Sequence, residues 1–413
     1  MKHLFISLLA FLSMSVSAQV LTGIDVLEAS GFQQISGKRI GLITNPTGVN
    51  SSLRSTIEIL SSERAKQAGV KLVALYAPEH GVRGDIPAGK VVSNVRDSQT
   101  GAMVYSLYGN GMKPTREMLS GIDALIFDIA DIGSRSYTFI STLGLAMEAA
   151  GQSGIEFIVL DRPNPLGGLK VEGKGVSEGY HSFVSKYNIP YLHGMTVGEL
   201  AQLYVGEGFL SHNPTLTVIP IEGWQRSDNW TATGLTWVAT SPHIPYWETS
   251  MLYPITGMIG ELSTLNIGVG YTLPFQTFAA EWIEDAESLA ERLNAKGLKG
   301  IIFRPIHYTP YYGSGKGKSL HGVQLHVTDF NNATITLIGF HVLEELISLY
   351  PEYNPLTTAT KERIDMFDKV LGGNALRQRF TESGYRLTPA IIEWWLSESL
   401  SFESLRKRYL LYI

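Results

Sequence analysis

Val70-Lys71-Leu72-Val73-Ala74-Leu75-Tyr76 is an apolar run that reads as a buried strand, and it leads into Pro78-Glu79-His80-Gly81. A carboxylate, an imidazole and a hinge glycine make poor core residues, since Glu is almost never fully buried without a partner. Their place just past a strand is where open α/β sheets bind ligands, in the crevice outside the carboxyl ends of the strands.

The same pattern recurs on both sides of this stretch. Arg39-Ile40-Gly41-Leu42-Ile43-Thr44-Asn45 reads as a strand ending in the turn Pro46-Thr47-Gly48, with a helix expected from about Ser52 to Gln67. Pro114 is placed to open a short helix. Ile122 to Phe127-Asp128 and Glu156 to Leu160-Asp161 are further strands, separated by a helix from Phe139 to Gln152 with Leu143, Met147 and Ala150 at helical spacing. Thr196 and Glu199 form a capping box for a helix from Val197 to Val205, and Leu216 to Pro220 closes the set. Short apolar strands alternating with helices predict a parallel sheet covered on both faces. Right-handed crossovers then bring the strand ends to one rim. The loops on that rim carry Asn45, Glu79 and His80, Asp128 and Asp131, and Asp161, Arg162 and Asn164. Four such loops with acid, base or amide groups at the same relative position point to a cleft.

From about Pro242 the character changes. Tyr, Pro, Gly and Thr dominate Pro245 to Phe275, which reads as a long irregular stretch. Mixed α+β sequence follows: a helix near Ala286–Lys296, strands at Ile301–Pro305 and Val323–Val327, and helices near Gly339–Tyr350 and Pro389–Leu396. A length of 413 residues suits two domains. The expected division is a leader at residues 1–18, an α/β domain at 19–243 and a smaller α+β domain at 244–413.

Composition narrows the function. A net charge of −5 gives no basic footprint, which argues against a nucleic-acid partner. The absence of Cys rules out disulfides, thiolate metal sites and a lipid-modified cysteine anchor. Lys2 and His3 precede an apolar stretch from Leu4 to about Val16, followed by the small-x-small pattern Val16-Ser17-Ala18-Gln19. This reads as a secretory signal peptide. The run is shorter than the ~18 residues that spanning a membrane requires. The expected mature protein begins at Gln19, is soluble, and is periplasmic or secreted.

Three motif-like strings fail on context. Gly175-Val176-Ser177-Glu178-Gly179 fits G-x-S-x-G but lacks the strand before and helix after that a nucleophile elbow needs. Gly313 to Ser319 resembles a P-loop, but Tyr312 stands where its first glycine belongs. No G-x-G-x-x-G follows the first strand, so no dinucleotide is expected. The chemistry left is that of carboxylates, Arg and Tyr. Two carboxyls flanking a bond are what glycoside hydrolysis requires, one of them held protonated by an apolar or like-charged setting. Glu79 and Glu261 are the candidates. Arg83, Arg135 and Arg162 lie near the rim and suit an anionic substrate. Tyr137 and Tyr271 are candidate platforms for a sugar ring. A second reading places Mg²⁺ among Asp128, Asp131 and Asp161 in a phosphate or amide hydrolase, and a third has the cleft bind sugar without cleaving it.

With these residues in view, the chain resembles the NamZ (YbbC-like) exo-β-N-acetylmuramidases over nearly all of its mature length. The resemblance rests on Gly41 to Gly48, Pro78 to Gly84, Asp128 to Thr138, Asp161 to Gly168, His193 to Leu200 and Thr240-Ser241-Pro242-His243-Ile244-Pro245. It implies a Rossmann-like N-terminal domain without nucleotide, a smaller C-terminal domain, and a cleft between them. It implies removal of terminal β-1,4-linked N-acetylmuramic acid from the non-reducing ends of peptidoglycan fragments, and on the residues themselves no cofactor or metal is expected. Glu79 takes the family's Glu-His-Gly position as the best catalytic carry-over. His243 joins Asn45, His80, Asp131, Asp161 and Asn164 as candidate substrate contacts, and the lactyl carboxylate of muramic acid would account for the arginines. One segment departs from the pattern. Many relatives carry Glu-Gly-Thr-Asn, then Gly-Arg-Gly-Thr and Arg-Pro-Phe. Here the chain reads Glu261-Leu262-Ser263-Thr264, Gly268-Val269-Gly270-Tyr271 and Leu273-Pro274-Phe275, so two arginines are absent while Glu261 is kept.

Overall fold

Strand β1 (Arg39–Thr44) is the centre of a seven-stranded sheet. The computed structural model describes residues 19–79, 81–84 and 95–413, so the leader and His80 lie outside the described residues. The chain runs outward from β1 through β2 (Lys71–Ala77), β3 (Val95–Arg96) and β4 (Met103–Ser106). It then returns to the other side of β1 for β5 (Ala124–Asp128), β6 (Glu156–Leu160) and β7 (Leu216–Ile219). The order is β3-β4-β2-β1-β5-β6-β7, parallel throughout except for the short edge strand β3. Strand order therefore reverses between β1 and β5, which opens a crevice at their carboxyl ends.

Side chains alternate across each strand, so the sheet feeds two cores. Ile40, Leu42, Leu75, Ile126 and Ile158 pack on one face with Ile24, Leu27, Phe32, Ile57 and Leu60. Ile43, Tyr76, Phe127 and Val159 pack on the other against the helices Phe139–Ser153 and Val197–Gly206. Gly41 is required where it stands, because a Cβ there would lie 2.6 Å from the ring of Tyr76.

Three expectations are corrected. The helix read over 52–67 is two short ones, Thr56–Leu60 and Glu63–Gln67, because Ser62 caps a new start through the Ala65 amide. Pro114 opens turns rather than a helix. The stretch read as irregular contains a 14-residue helix, Trp247–Gly260, with Pro254 inside it. Its apolar face (Leu252, Ile255, Met258, Ile259) is buried in the second core, and that packing outweighs the backbone hydrogen bond the proline removes.

The second core surrounds a three-stranded antiparallel sheet ordered β8-β10-β9, formed by β8 (Thr277–Ala280), β9 (Ile301–Tyr308) and β10 (Leu320–Val327). The helices Ala286–Ala295 and Ile335–Leu349 cover it. The end of the chain crosses back to the first sheet. Phe402 enters the first half's core, the Tyr412 hydroxyl donates to Asp161 at 2.5 Å, and the Arg226 amide donates to the Ile413 carbonyl.

Loop positions at the reversal depend on a buried ion pair. Arg162 Nε donates to Asp128 Oδ1 at 2.5 Å, with side-chain exposures of 7% and 0%. The Thr56 hydroxyl also donates to Asp128, and Arg162 Nη2 donates to the Val49 carbonyl. Asp128→Ala is expected to cost about 3–5 kcal/mol by leaving the guanidinium buried and unpaired. Chemical denaturation of the two proteins measures this, and a loss below about 1 kcal/mol would refute it.

Candidate active site

Glu79 follows β2 by two residues and is half-buried at the carboxyl rim of the sheet. It lines a cavity of about 260 Å³. Ser136, Tyr137, Thr138 and Phe139, from the end of the β5 loop and the start of the next helix, form another part of the wall. The helix Trp247–Gly260 supplies Tyr253 and Gly257, and Glu261 caps its end. The spacing of 253, 257 and 261 puts all three on one helical face. Two candidate carboxylates from different halves of the molecule thus share one cavity. The separation in sequence is closed by the packing of this helix beside the sheet's rim.

The wall between them is aromatic. Tyr137 meets Phe139 and Tyr253 edge to face, with ring centroids 5.1 and 5.6 Å apart, and Tyr253 meets Phe275 at 4.9 Å. Such surfaces suit the apolar faces of sugar rings. The hydroxyls are held in place. Tyr137 donates to Thr240 Oγ1 at 2.7 Å, and Ser136 Oγ lies 2.7 Å from the Tyr191 hydroxyl and 3.3 Å from that of Tyr253. Burial pushes the phenols of Tyr137, Tyr191 and Tyr253 up, so they stay neutral.

Burial also raises the Glu261 carboxyl above its ordinary value, opposed only by the charge of Arg363. That opposition is weak, because Arg363 Nη1 stands 3.9 Å from Glu261 Oε2 and both side chains are partly exposed. A carboxyl in this setting holds its proton to higher pH than a free one, as a general acid must.

Other residues read from the sequence are placed elsewhere. Arg135 is 1% exposed, and its guanidinium donates to the carbonyls of Lys174, Ile189 and Val370 and to Ser185 Oγ. It ties the two halves together and does not line the cavity. Arg162 is committed to Asp128, and Arg83 donates to Asp97 at 2.6 Å and to Gln99 at 3.2 Å. Asp161 accepts from Tyr412, Thr196 and the Gly198 amide, while burial pushes its carboxyl up to about 6. Asn164 bridges the Leu166 amide and the Met195 carbonyl within its own loop. Asn45 accepts from the amide and hydroxyl of Thr47. Asp131 accepts from the Gly133 amide and faces His193 Nε2 at 3.5 Å. His243 Nε2 lies 2.9 Å from the Tyr312 hydroxyl. Tyr271 stacks on Tyr308 and Tyr311 at 4.6 and 5.8 Å. Asp128, Asp131 and Asp161 do not converge, and among the described residues no group of three acidic or histidine side chains is arranged to hold a cation.

Sequence reasoning missed Ser136, Ser241, Tyr253 and Phe275 as wall residues, and Arg363 beside them. The one signal available was the 253/257/261 spacing, which Pro254 obscured.

Comparison with known proteins gives concordant results. The N-terminal domain profile of exo-β-N-acetylmuramidase NamZ matches residues 40–248, and its C-terminal domain profile matches 251–412. The chain is 44% identical over 395 residues to the peptidoglycan β-N-acetylmuramidase NamZ of Bacillus subtilis (strain 168), covering 95% of this chain and 92% of that protein. A crystal structure of a DUF1343 family protein from Bacteroides fragilis NCTC 9343 superposes with a TM-score of 0.90 at 50% identity, covering 96% of this chain and 99% of the other. A second DUF1343 protein of that organism gives 0.74 at 27% identity, with the same coverage.

Proposed function

The chain belongs to the exo-β-N-acetylmuramidase NamZ family, and from that premise we propose how its cavity performs the reaction. The protein is a glycoside hydrolase that removes terminal non-reducing N-acetylmuramic acid from peptidoglycan fragments. Glu261 is the general acid: it donates its proton to the glycosidic oxygen as the bond to the anomeric carbon breaks. Glu79 is the second carboxylate, supporting the positive charge that develops on the ring and either activating water or attacking the anomeric carbon. Tyr137 and Tyr253 present ring faces and edges to the sugar. The observation that carries this assignment is that Glu79 and Glu261 line one cavity, with the carboxyl of Glu261 raised by burial.

Chromophore release from the 4-nitrophenyl β-glycoside of N-acetylmuramic acid tests the reading, beside the N-acetylglucosamine analogue. Release from the muramic compound alone is expected. Release from neither, or equally from both, would overturn it.

The role that follows is cell-wall turnover outside the cytoplasm. The Lys2-to-Ala18 leader supports export to the periplasm or medium, where peptidoglycan fragments arise. Protein recovered from the periplasmic or culture fraction is expected to begin at Gln19 on N-terminal sequencing. An intact Met1 in that fraction would contradict the cleavage.

A further inference from the structure

We propose that Arg363 is the cation that receives the lactyl carboxylate of the substrate and so distinguishes muramic acid from N-acetylglucosamine. This rests on the functional reading above, because the two sugars differ in the 3-O-lactyl ether and its negative charge. Among the described residues that line the cavity none is Lys or Arg, and two are carboxyls. A lactyl carboxylate entering beside these two acidic groups without a cation would lose its hydration unpaired. The arginines that the sequence suggested are committed elsewhere, Arg135 to carbonyls, Arg162 to Asp128 and Arg83 to Asp97.

Arg363 is placed differently. It lies near the start of the helix Lys361–Leu371, and Val370, two turns along the same face, lines the cavity. Its side chain is 50% exposed. Among the described residues its guanidinium makes no hydrogen bond, and its one ion pair is the 3.9 Å approach to Glu261. A planar fork of N–H donors without hydrogen-bond acceptors, at the edge of an acidic cavity, matches a carboxylate bidentately. The side chain is long and half exposed, so it can turn from Glu261 toward an anion at the edge of the cavity.

The test compares wild-type protein with Arg363→Gln and Arg363→Lys on two substrates, 4-nitrophenyl β-N-acetylmuramic acid and its lactyl methyl ester. Wild type is expected to prefer the acid by about 10- to 100-fold in kcat/KM, the range of a charge-assisted hydrogen bond. Arg363→Gln is expected to lose that preference, chiefly through KM on the acid, with its melting midpoint unchanged. Arg363→Lys is expected to recover part of it. A glutamine variant that keeps the wild-type preference, or a wild type that treats acid and ester alike, would overturn the proposal while the muramidase reading stands. A wild type inactive on both compounds would overturn the functional reading and this proposal with it.

Discussion

Glu261→Gln is expected to lower kcat/KM on a muramic-acid disaccharide by about 10²–10⁴-fold, the usual contribution of general acid catalysis, and far less on the 4-nitrophenyl glycoside. The difference is diagnostic. A sugar leaving group departs as a poor alkoxide unless it is protonated, whereas 4-nitrophenolate leaves without help. The pH profile follows from the same carboxyl. Burial raises it above the 4.5 of a free Glu side chain, so wild-type activity should fall as pH rises through that raised value. That alkaline limb belongs to the disaccharide, and on the aryl substrate it should be weak in wild type and absent in the variant. Stability should follow the same direction with pH. A carboxyl whose folded value lies above its unfolded one contributes stability that is fully present below the unfolded value and lost as pH rises through the folded one. Glutamine does not ionise, so the variant is expected to be at least as stable as wild type at neutral pH. Equal losses on both substrates, or a variant that melts well below wild type, would remove Glu261 from the acid's role.

Much of this arrangement is legible in the amino-acid sequence, and what is hidden has physical reasons. Short apolar strands, each ended by polar turn residues, announce a parallel sheet, and Glu79 stands out because nothing in a strand core explains it. The charge of Arg135 and Arg162 was equally visible, but their partners were not. A backbone carbonyl leaves no mark in sequence, and Arg135 is held by those of Lys174, Ile189 and Val370. Two arginines that read as substrate contacts therefore turn out to hold loops and halves together. Arg363 was hidden for the opposite reason. It sits in an ordinary amphipathic helix, and only the packing of that helix beside Trp247–Gly260 brings it to Glu261. Pro254 concealed the helix that carries Tyr253 and Glu261. Local propensity argues against a helix there, and tertiary burial of Leu252, Ile255 and Met258 overrides it.

Glu79→Gln is expected to abolish turnover on the disaccharide and on the aryl glycoside alike, by about 10³-fold or more, toward the upper end of single-residue catalytic effects. A good leaving group cannot compensate here, because Glu79 serves the ring and not the departing oxygen. The two glutamine variants should therefore separate on substrate chemistry: one is rescued by 4-nitrophenolate and the other is not. The fold should be unaffected, since Glu79 is half-buried in a rim loop and lies outside the apolar clusters that hold the sheet. Azide added to Glu79→Ala gives a second readout. If the carboxylate attacks or activates at the anomeric carbon, a small anion in the vacated space should restore product formation as a glycosyl azide. The anomeric configuration of that azide, set against the configuration of the first sugar released by wild type, reports whether Glu79 bonds to the ring or directs water to it. Wild-type rates in Glu79→Gln, or azide that leaves the rate and product of Glu79→Ala unchanged, would move the second carboxylate's work to another wall of the cavity. The aromatic residues, Ser136, Thr138 and Ser241 would then be the groups to vary, because they line the same cavity among the described residues.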